Sequence, residues 1–181
     1  SNFNNGCKDT ATIDVVADLN KPKADAGKAS QLLDCKQTNV VLGGGATSTG
    51  TNFFYQWFKD GTFVTSGFNK PTYVANVKGN YLFEVVDTSS GCRDTSRVTI
   101  TKDTLVPTAL IKTPLAKLTC VLPSITLDGS GSSKGTRFTY QWTTIGGTFN
   151  GSTTGNLATV VDQGKYTLIV KDTLNSCVDS I

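Results

Sequence analysis

The chain has 181 residues, 38% of them apolar, and a net charge of +3 spread without runs. That balance gives no electrostatic footprint for nucleic acid or an anionic membrane, and nothing in it predicts a transmembrane span, a membrane-inserting segment or a signal peptide. Histidine and methionine are absent, which removes the commonest general base and the commonest metal ligand together.

Residues 1–19 read as the C-terminal strand of a preceding module, with Asn5-Gly6 as a turn and Thr12-Ile13-Asp14-Val15 as the closing strand. On this reading the chain is a window of a longer polypeptide. A short connection leads to Pro22, where the ring fixes φ and limits swing between neighbours. The module spanning 20–104 follows. Val40-Val41-Leu42 predicts a strand ending in the flexible Gly43-Gly44-Gly45. Phe53, Tyr55 and Trp57 fall on one face of the next strand, since side chains alternate along a β-strand. A Gly-, Thr- and Ser-rich excursion passes through Asp60-Gly61 and Ser66-Gly67, then a strand runs near Tyr73 to Val77 with its inward phase left open. Tyr81, Phe83 and Val85 alternate with Leu82, Glu84 and Val86, and Val98 with Ile100 closes the unit.

The module spanning 105–181 repeats this pattern at an offset of 85 positions and lacks its last strand. Tyr140-Gln141-Trp142 returns for Tyr55-Gln56-Trp57, Gly164-x-Tyr166 for Gly79-x-Tyr81, Asp172 for Asp87 and Pro107 for Pro22. Cys7, Cys92 and Cys177 are successive copies of one position, and Cys35 and Cys120 of another. Rare residue types recurring at one spacing define a string of small domains rather than a solenoid. With no sustained helical period, the expectation is all-β antiparallel sandwiches set end to end, with Tyr55, Trp57, Tyr81, Tyr140, Trp142 and Tyr166 in their cores.

The cysteines are the first candidates for chemistry. One pair per module suggests Cys35 with Cys92 and Cys120 with Cys177, leaving Cys7 to an upstream partner. The rival pairing, Cys7 with Cys35 and Cys92 with Cys120, fits the period equally well and staples neighbours together. The within-module pairing is favoured because a domain string need not depend on its neighbours to fold. A zinc site is a poor fit, as no CxxC or Cys/His cluster exists. Structural disulfides point to an oxidising, extracytoplasmic compartment.

No cofactor is expected. Calcium is the one cation with candidate oxygens, at Asp60-Gly61 and Asp128-Gly129-Ser130 and at the recurring Asp87 and Asp172, but Asp-Gly reads first as a turn. No acidic pair stands out for catalysis, so the chain reads as a non-enzyme. The mismatches between the copies are informative: Phe54, Phe58, Phe63 and Phe68 correspond to Thr139, Thr143, Thr148 and Thr153. Phe54 and Phe58 lie on the outward phase of their strand. The favoured reading is that the following loop covers them; left open, they form an apolar patch for a partner chain.

Taken together, Leu118-Thr119-Cys120, Ile125-Thr126-Leu127-Asp128-Gly129-Ser130-Gly131-Ser132, Tyr140-Gln141-Trp142, the Gly164 to Asp172 run and Cys177 resemble the PKD-like and immunoglobulin-like repeats of large Bacteroidota surface proteins. Leu33-Asp34-Cys35, Tyr55-Gln56-Trp57, Gly79-x-Tyr81 and Gly91-Cys92 show the same outline upstream. The Trp-Asp-Phe-Gly-Asp-Gly loop of typical PKD domains is replaced by Phe58-Lys59-Asp60-Gly61 and Thr143-Thr144-Ile145-Gly146. The resemblance implies tandem Ig-like or PKD-like sandwiches in a secreted, surface-held adhesin stalk or filament subunit exported by the type IX pathway. Its partners would be adjacent modules of the same chain, other copies in a surface assembly, or a surface ligand. Asp9-Thr10-Ala11, Asp103-Thr104-Leu105 and Asp172-Thr173-Leu174 resemble the O-glycosylation sequon of that phylum, although turn and linker chemistry is the preferred reading. The alternative function is an accessory carbohydrate-binding or spacer module of a secreted polysaccharide-degrading enzyme.

Overall fold

The computed structural model describes residues 8–114 and 117–181, so Asn5-Gly6 and Cys7 lie outside the described residues. The described residues form strands, turns and irregular segments, with no helix. In the upstream repeat copy the strands are β1 (Ser30–Leu33), β2 (Val40–Leu42), β3 (Phe53–Lys59), β4 (Thr62–Gly67), β5 (Tyr73–Ala75), β6 (Gly79–Asp87) and β7 (Arg93–Lys102). They build a five-stranded sheet, β1-β7-β6-β3-β4, and a two-stranded sheet, β2-β5. The period-two pattern does the work that the sequence predicts. Tyr55 and Trp57 on β3, and Tyr81, Phe83 and Val85 on β6, turn inward to meet Val40, Leu42 and Ala75 of the second sheet. Trp57 lies opposite Phe83 across the β3/β6 ladder, with ring centroids 4.4 Å apart. The open phase of β5 is now fixed: Ala75 is buried and Tyr73 packs on the core.

One pairing departs from the antiparallel expectation. β1 runs parallel to β7, with Ser30 opposite Thr99 and Leu33 opposite Lys102. This edge, the order of the sheet, and Tyr81 at the start of β6, whose hydroxyl donates back to the Val77 carbonyl at 2.8 Å, are immunoglobulin features. Both repeat copies are all-β and immunoglobulin-like. Residues 8–20 form no strand; Ile13 and Val15 of the expected closing strand are unpaired and almost fully exposed.

The downstream copy has β8 (Ile125–Asp128), β9 (Phe138–Ile145), β10 (Leu157–Val160), β11 (Lys165–Asp172) and β12 (Val178–Ser180), arranged as sheets β12-β11-β9 and β10-β8. Its core gathers Trp142, Leu168, Val170, Ala158 and Ala109. It is smaller, and this corrects two core expectations. Tyr140 is only half-buried, and Tyr166 is half-buried with its ring edge-on to Phe149 at a centroid distance of 5.2 Å. β9 pairs with β11 along its whole length, but β12 pairs only Ile169 to Lys171, so the first half of β11 has a strand on one side alone and Tyr166 remains at a margin.

The 85-residue offset also holds for individual hydrogen bonds. Tyr55 Oη donates to Ser48 O and Tyr140 Oη to Ser133 O. Ala24 N–H donates to Asp94 Oδ2 and Ala109 N–H to Asp179 Oδ2. Asp87 N–H donates to Cys92 O and Asp172 N–H to Cys177 O, each at 2.9 Å. What recurs is therefore a scaffold of turn and edge contacts as well as a set of apolar side chains.

Candidate functional site

The chemically distinctive place lies where the two copies meet. Cys35, just after β1, is disulfide-bonded to Cys177, in the turn between β11 and β12, with a Cα separation of 5.0 Å. Cys35 N–H also donates to the Asn175 carbonyl at 3.1 Å.

This bond overturns the favoured within-module pairing of Cys35 with Cys92 and Cys120 with Cys177. The reason is strand length. β1 lies beside the C-terminal end of β7, so Cys35 sits near Lys102, whereas Cys92 immediately precedes Arg93 at the other end of that ten-residue strand. At about 3.3 Å per residue the two lie roughly 30 Å apart, against a disulfide Cα reach of about 4.4–6.8 Å. The rival pairing fails too, since Cys35 is taken by Cys177 and neither Cys92 nor Cys120 is bonded. Cys92 is half-buried and Cys120 exposed. The bond closes a separation of 142 residues, a constraint worth about 5 kcal/mol in the chain-entropy account.

Two side chains from the downstream copy hold the connecting segment beside this bond. Asn175 is fully buried; its Nδ2 donates to Asp103 Oδ1 at 2.8 Å and to the Leu105 carbonyl at 2.9 Å, while its Oδ1 accepts the Cys177 N–H at 3.0 Å. Every polar atom of the amide is thus satisfied, as burial demands. Arg137 bridges Asp103, at 3.0 Å, and Asp172. The Asn175 amide, the Leu105 N–H and the Arg137 guanidinium hold the Asp103 carboxyl below its usual range; Arg137 does the same for Asp172. Pro107 is buried beyond the clamp. Sequence reasoning missed Arg137 and Asn175. The available signal was that the offset places Asn52 and Ser90 at their positions, a mismatch of the same kind as Phe against Thr.

Two of the three sequon-like triplets belong to this hardware: Asp103 and Asp172 both pair with Arg137, and the Thr173 hydroxyl donates to the Arg137 carbonyl at 2.9 Å. Thr104 is exposed. At the opposite end of the upstream copy, Asp87 accepts from the Ser89 hydroxyl and N–H and from the Asn52 amide, which lower its carboxyl to about 2.

The calcium candidates act as turn residues. Asp60 and Gly61, with φ of 49° and 81°, make the hairpin turn between β3 and β4, a left-handed pair that suits Asp-Gly. The Asp60 carboxylate pairs with Lys59 at 2.7 Å and accepts the Asn80 N–H at 2.8 Å. Asp128 accepts the Ser130 N–H at 2.7 Å. Among the described residues no three carboxylates or thiols converge on a common point.

The four phenylalanines do come together. β4 and the residue beyond it fold back along β3, so Phe68 meets Phe54 edge-on at 5.0 Å and Phe63 meets Phe58 at 6.0 Å. The covering is partial. Phe54 and Phe58 are half-buried, while Phe63 and Phe68 remain 57% and 49% exposed, leaving an aromatic patch on the outer face. A separate groove of ≈ 740 Å³ on the downstream copy is lined by apolar side chains including Ile111, Pro114, Leu127 and Val160, with Tyr166 at its rim.

No protein-family model matches the sequence, and no curated protein matches it. Among solved structures, the chain is similar to the fibronectin(III)-like modules of CbhA from Clostridium thermocellum. The identity is 13%, with 88% of this chain and 90% of that one covered and a TM-score of 0.41. It is also similar to the N-terminal four Ig domains of Dscam1 isoform 6.44, at 16% identity, covering 93% of this chain but 46% of that one, with a TM-score of 0.35. These likenesses are distant; strand order and the tyrosine contact define the fold.

Proposed function

We propose that the chain is a non-catalytic structural repeat segment of a secreted, surface-held protein, an adhesin stalk or filament part whose role is to space or display. The observation that carries this reading is the covalent joint: a cystine links one repeat copy to the next, and Arg137 and Asn175 immobilise the segment between them. A flexible tether needs neither device. Copies set end to end by such joints make a rod of limited bending, and the cystine calls for an oxidising compartment outside the cytoplasm. The sequence resemblance to Bacteroidota surface repeats favours export by the type IX pathway. Small-angle scattering with and without reductant tests the reading. The expected result is an elongated particle of fixed length that acquires a broad distribution of dimensions once Cys35–Cys177 is reduced. A compact particle under both conditions would overturn it.

The aromatic patch of Phe54, Phe58, Phe63 and Phe68 supports a second reading, an accessory carbohydrate-binding module or a contact for a partner chain. Phe63→Thr with Phe68→Thr should then abolish retardation on polysaccharide gels, or weaken assembly, without unfolding. Unchanged behaviour in both assays rejects the patch as a binding face.

A further inference from the structure

Cys92 and Cys120 are two unpaired halves of the bond that Cys35 and Cys177 have made. By the repeat offset, Cys120 occupies the position of Cys35, and Cys92 that of Cys177. The local settings agree. Around Cys35, Asp34 N–H donates to Gln37 O at 3.0 Å and the Asp34 carboxylate caps the turn. Around Cys120, Thr119 N–H donates to Leu122 O at 2.9 Å and the Thr119 hydroxyl caps the turn. At the other position, Cys177 N–H donates to Asn175 Oδ1 at 3.0 Å and Cys92 N–H to Ser90 Oγ at 3.3 Å. Even the connecting segments share a turn: Asn20 N–H donates to Asp18 Oδ1 at 3.2 Å, as Leu105 N–H does to Asp103 Oδ1 at 3.1 Å.

The two thiols cannot meet within one chain. Cys92 lies at the end of β7 remote from the joint, and Cys120 matches, by the repeat offset, Cys35 at the joint-facing end of the upstream copy. They face opposite ways along the repeat. We infer that the upstream copy of a second molecule docks on the downstream copy of the first as the downstream copy docks on the upstream within this chain, and that Cys120 of one bonds Cys92 of the other. The partner is a second copy of this chain, and each such bond joins the downstream copy of one molecule to the upstream copy of the next. In that arrangement the Ser90 carbonyl would accept the Cys120 N–H, as the Asn175 carbonyl accepts that of Cys35 within the chain.

The oxidant is a small-molecule disulfide such as oxidised glutathione. The exposed Cys120 thiolate attacks one of its sulfurs and releases one glutathione thiolate. The Cys92 thiolate of the second molecule then attacks the Cys120 sulfur of the mixed disulfide and releases the other. One sulfur–sulfur bond is broken and one formed, and the two protons lost by the cysteines end on two glutathione thiols. Asn52 and Ser90 stand where the internal joint has Arg137 and Asn175. The connecting segment at the new joint lacks the clamp, so reductant should dissolve the polymer. Polymerisation of this kind needs only the joint geometry and an oxidant, whether or not the chain serves as a surface spacer.

The test uses the full chain carrying Cys7→Ser, equilibrated in oxidised and reduced glutathione, with non-reducing gels and peptide mass spectrometry as readouts. The expected result is a ladder of covalent multiples containing Cys92–Cys120 peptides, with Cys35–Cys177 retained. Adding Cys92→Ser or Cys120→Ser should leave each variant monomeric alone, and mixing the two should give a heterodimer and nothing longer. Equal yields of Cys92–Cys92 and Cys120–Cys120 dimers would overturn the inference, as would a Cys92–Cys120 bond within one chain or monomers capped by glutathione at both thiols. Retention of the Cys35–Cys177 peptide reports that each variant is folded.

Discussion

The two repeat copies share their skeleton and differ at their surfaces. Matching positions make matching contacts at the tyrosine hydroxyls, the Cys92 and Cys177 turns and the Asp94 and Asp179 carboxylates. The outer face of β3 is phenylalanine in one copy and the corresponding face of β9 threonine in the other; one end is held by Asn52 and Ser90 and its counterpart by Arg137 and Asn175. The shared set answers to the fold. The unshared set lies at the surfaces, as an aromatic patch on one copy and as the clamp on the connecting segment in the other.

The largest test of this contrast removes the joint's cystine. Cys35→Ser should lower the stability to denaturant by about 5 kcal/mol at most, the chain-entropy value, and Cys92→Ser should change it little. Chemical denaturation followed by tryptophan fluorescence reads both, and equal losses would abolish the distinction between joint and free thiol.

Next comes the clamp. Asn175→Ser gives the downstream copy the residue that Ser90 supplies upstream and deprives Asp103 and the Leu105 carbonyl of a donor. A cost of about 2 kcal/mol is expected for these buried partners. Ser90→Asn should cost far less, and hydrogen exchange at residues 103–106 should quicken in the first variant alone.

The tryptophans give a smaller difference. Trp142 Nε1 donates to the Gly155 carbonyl at 3.1 Å, while Trp57 Nε1 is buried without a partner. Both to Phe lose similar ring area, so Trp142→Phe should cost about 1 kcal/mol more than Trp57→Phe. Equal costs would show that the extra hydrogen bond contributes nothing.

The last effect is read in acid. Asp87, at about 2, is depressed from its ordinary 3.8, so between those values the folded chain binds fewer protons there than the unfolded chain. Its contribution is complete above about pH 4 and is lost as pH falls through about 2. Asp172 is lowered as well, chiefly by Arg137. Salt should weaken the Asp172 contribution slightly, since that carboxylate is buried and only Arg137 is partly exposed, and leave Asp87, held by neutral donors, unaffected. Asn52→Leu and Arg137→Leu, compared in acid titrations at two salt concentrations, separate them.

Much of this was readable in advance. Alternation placed Tyr55, Trp57, Phe83, Val98 and Ile100 inward, and Asp60-Gly61 announced a turn, though the excursion beyond it proves to be the strand β4. The cystine was not readable, because adding one period to a pairing leaves every spacing relation intact. The length of β7 excludes Cys35–Cys92 only once β1 is known to lie parallel beside its far end, and parallel edge pairing leaves no local mark in a four-residue strand. Tyr166 followed the pattern yet sits at a margin, since burial depends on which strands flank β11 and not on its own alternation. The clamp was hidden for a related reason: Arg137 and Asn175 are distant from Asp103 in sequence and meet it only through the fold.

The parallel pairing of β1 with β7 sets how the upstream copy answers a pull on its two ends. Once the Cys35–Cys177 cystine is reduced, tension enters through the residues before Ser30 and leaves through Lys102, so the two neighbours are dragged in opposite senses along their common axis; while it is intact, the load crosses from Cys35 to Cys177 and bypasses the strands between. The rungs between them, together with those from Thr99 to Ala29 and from Asp103 to Leu33, are strained in shear and must rupture as a group. An antiparallel edge tugged from one end would instead unzip rung by rung, at a much lower force.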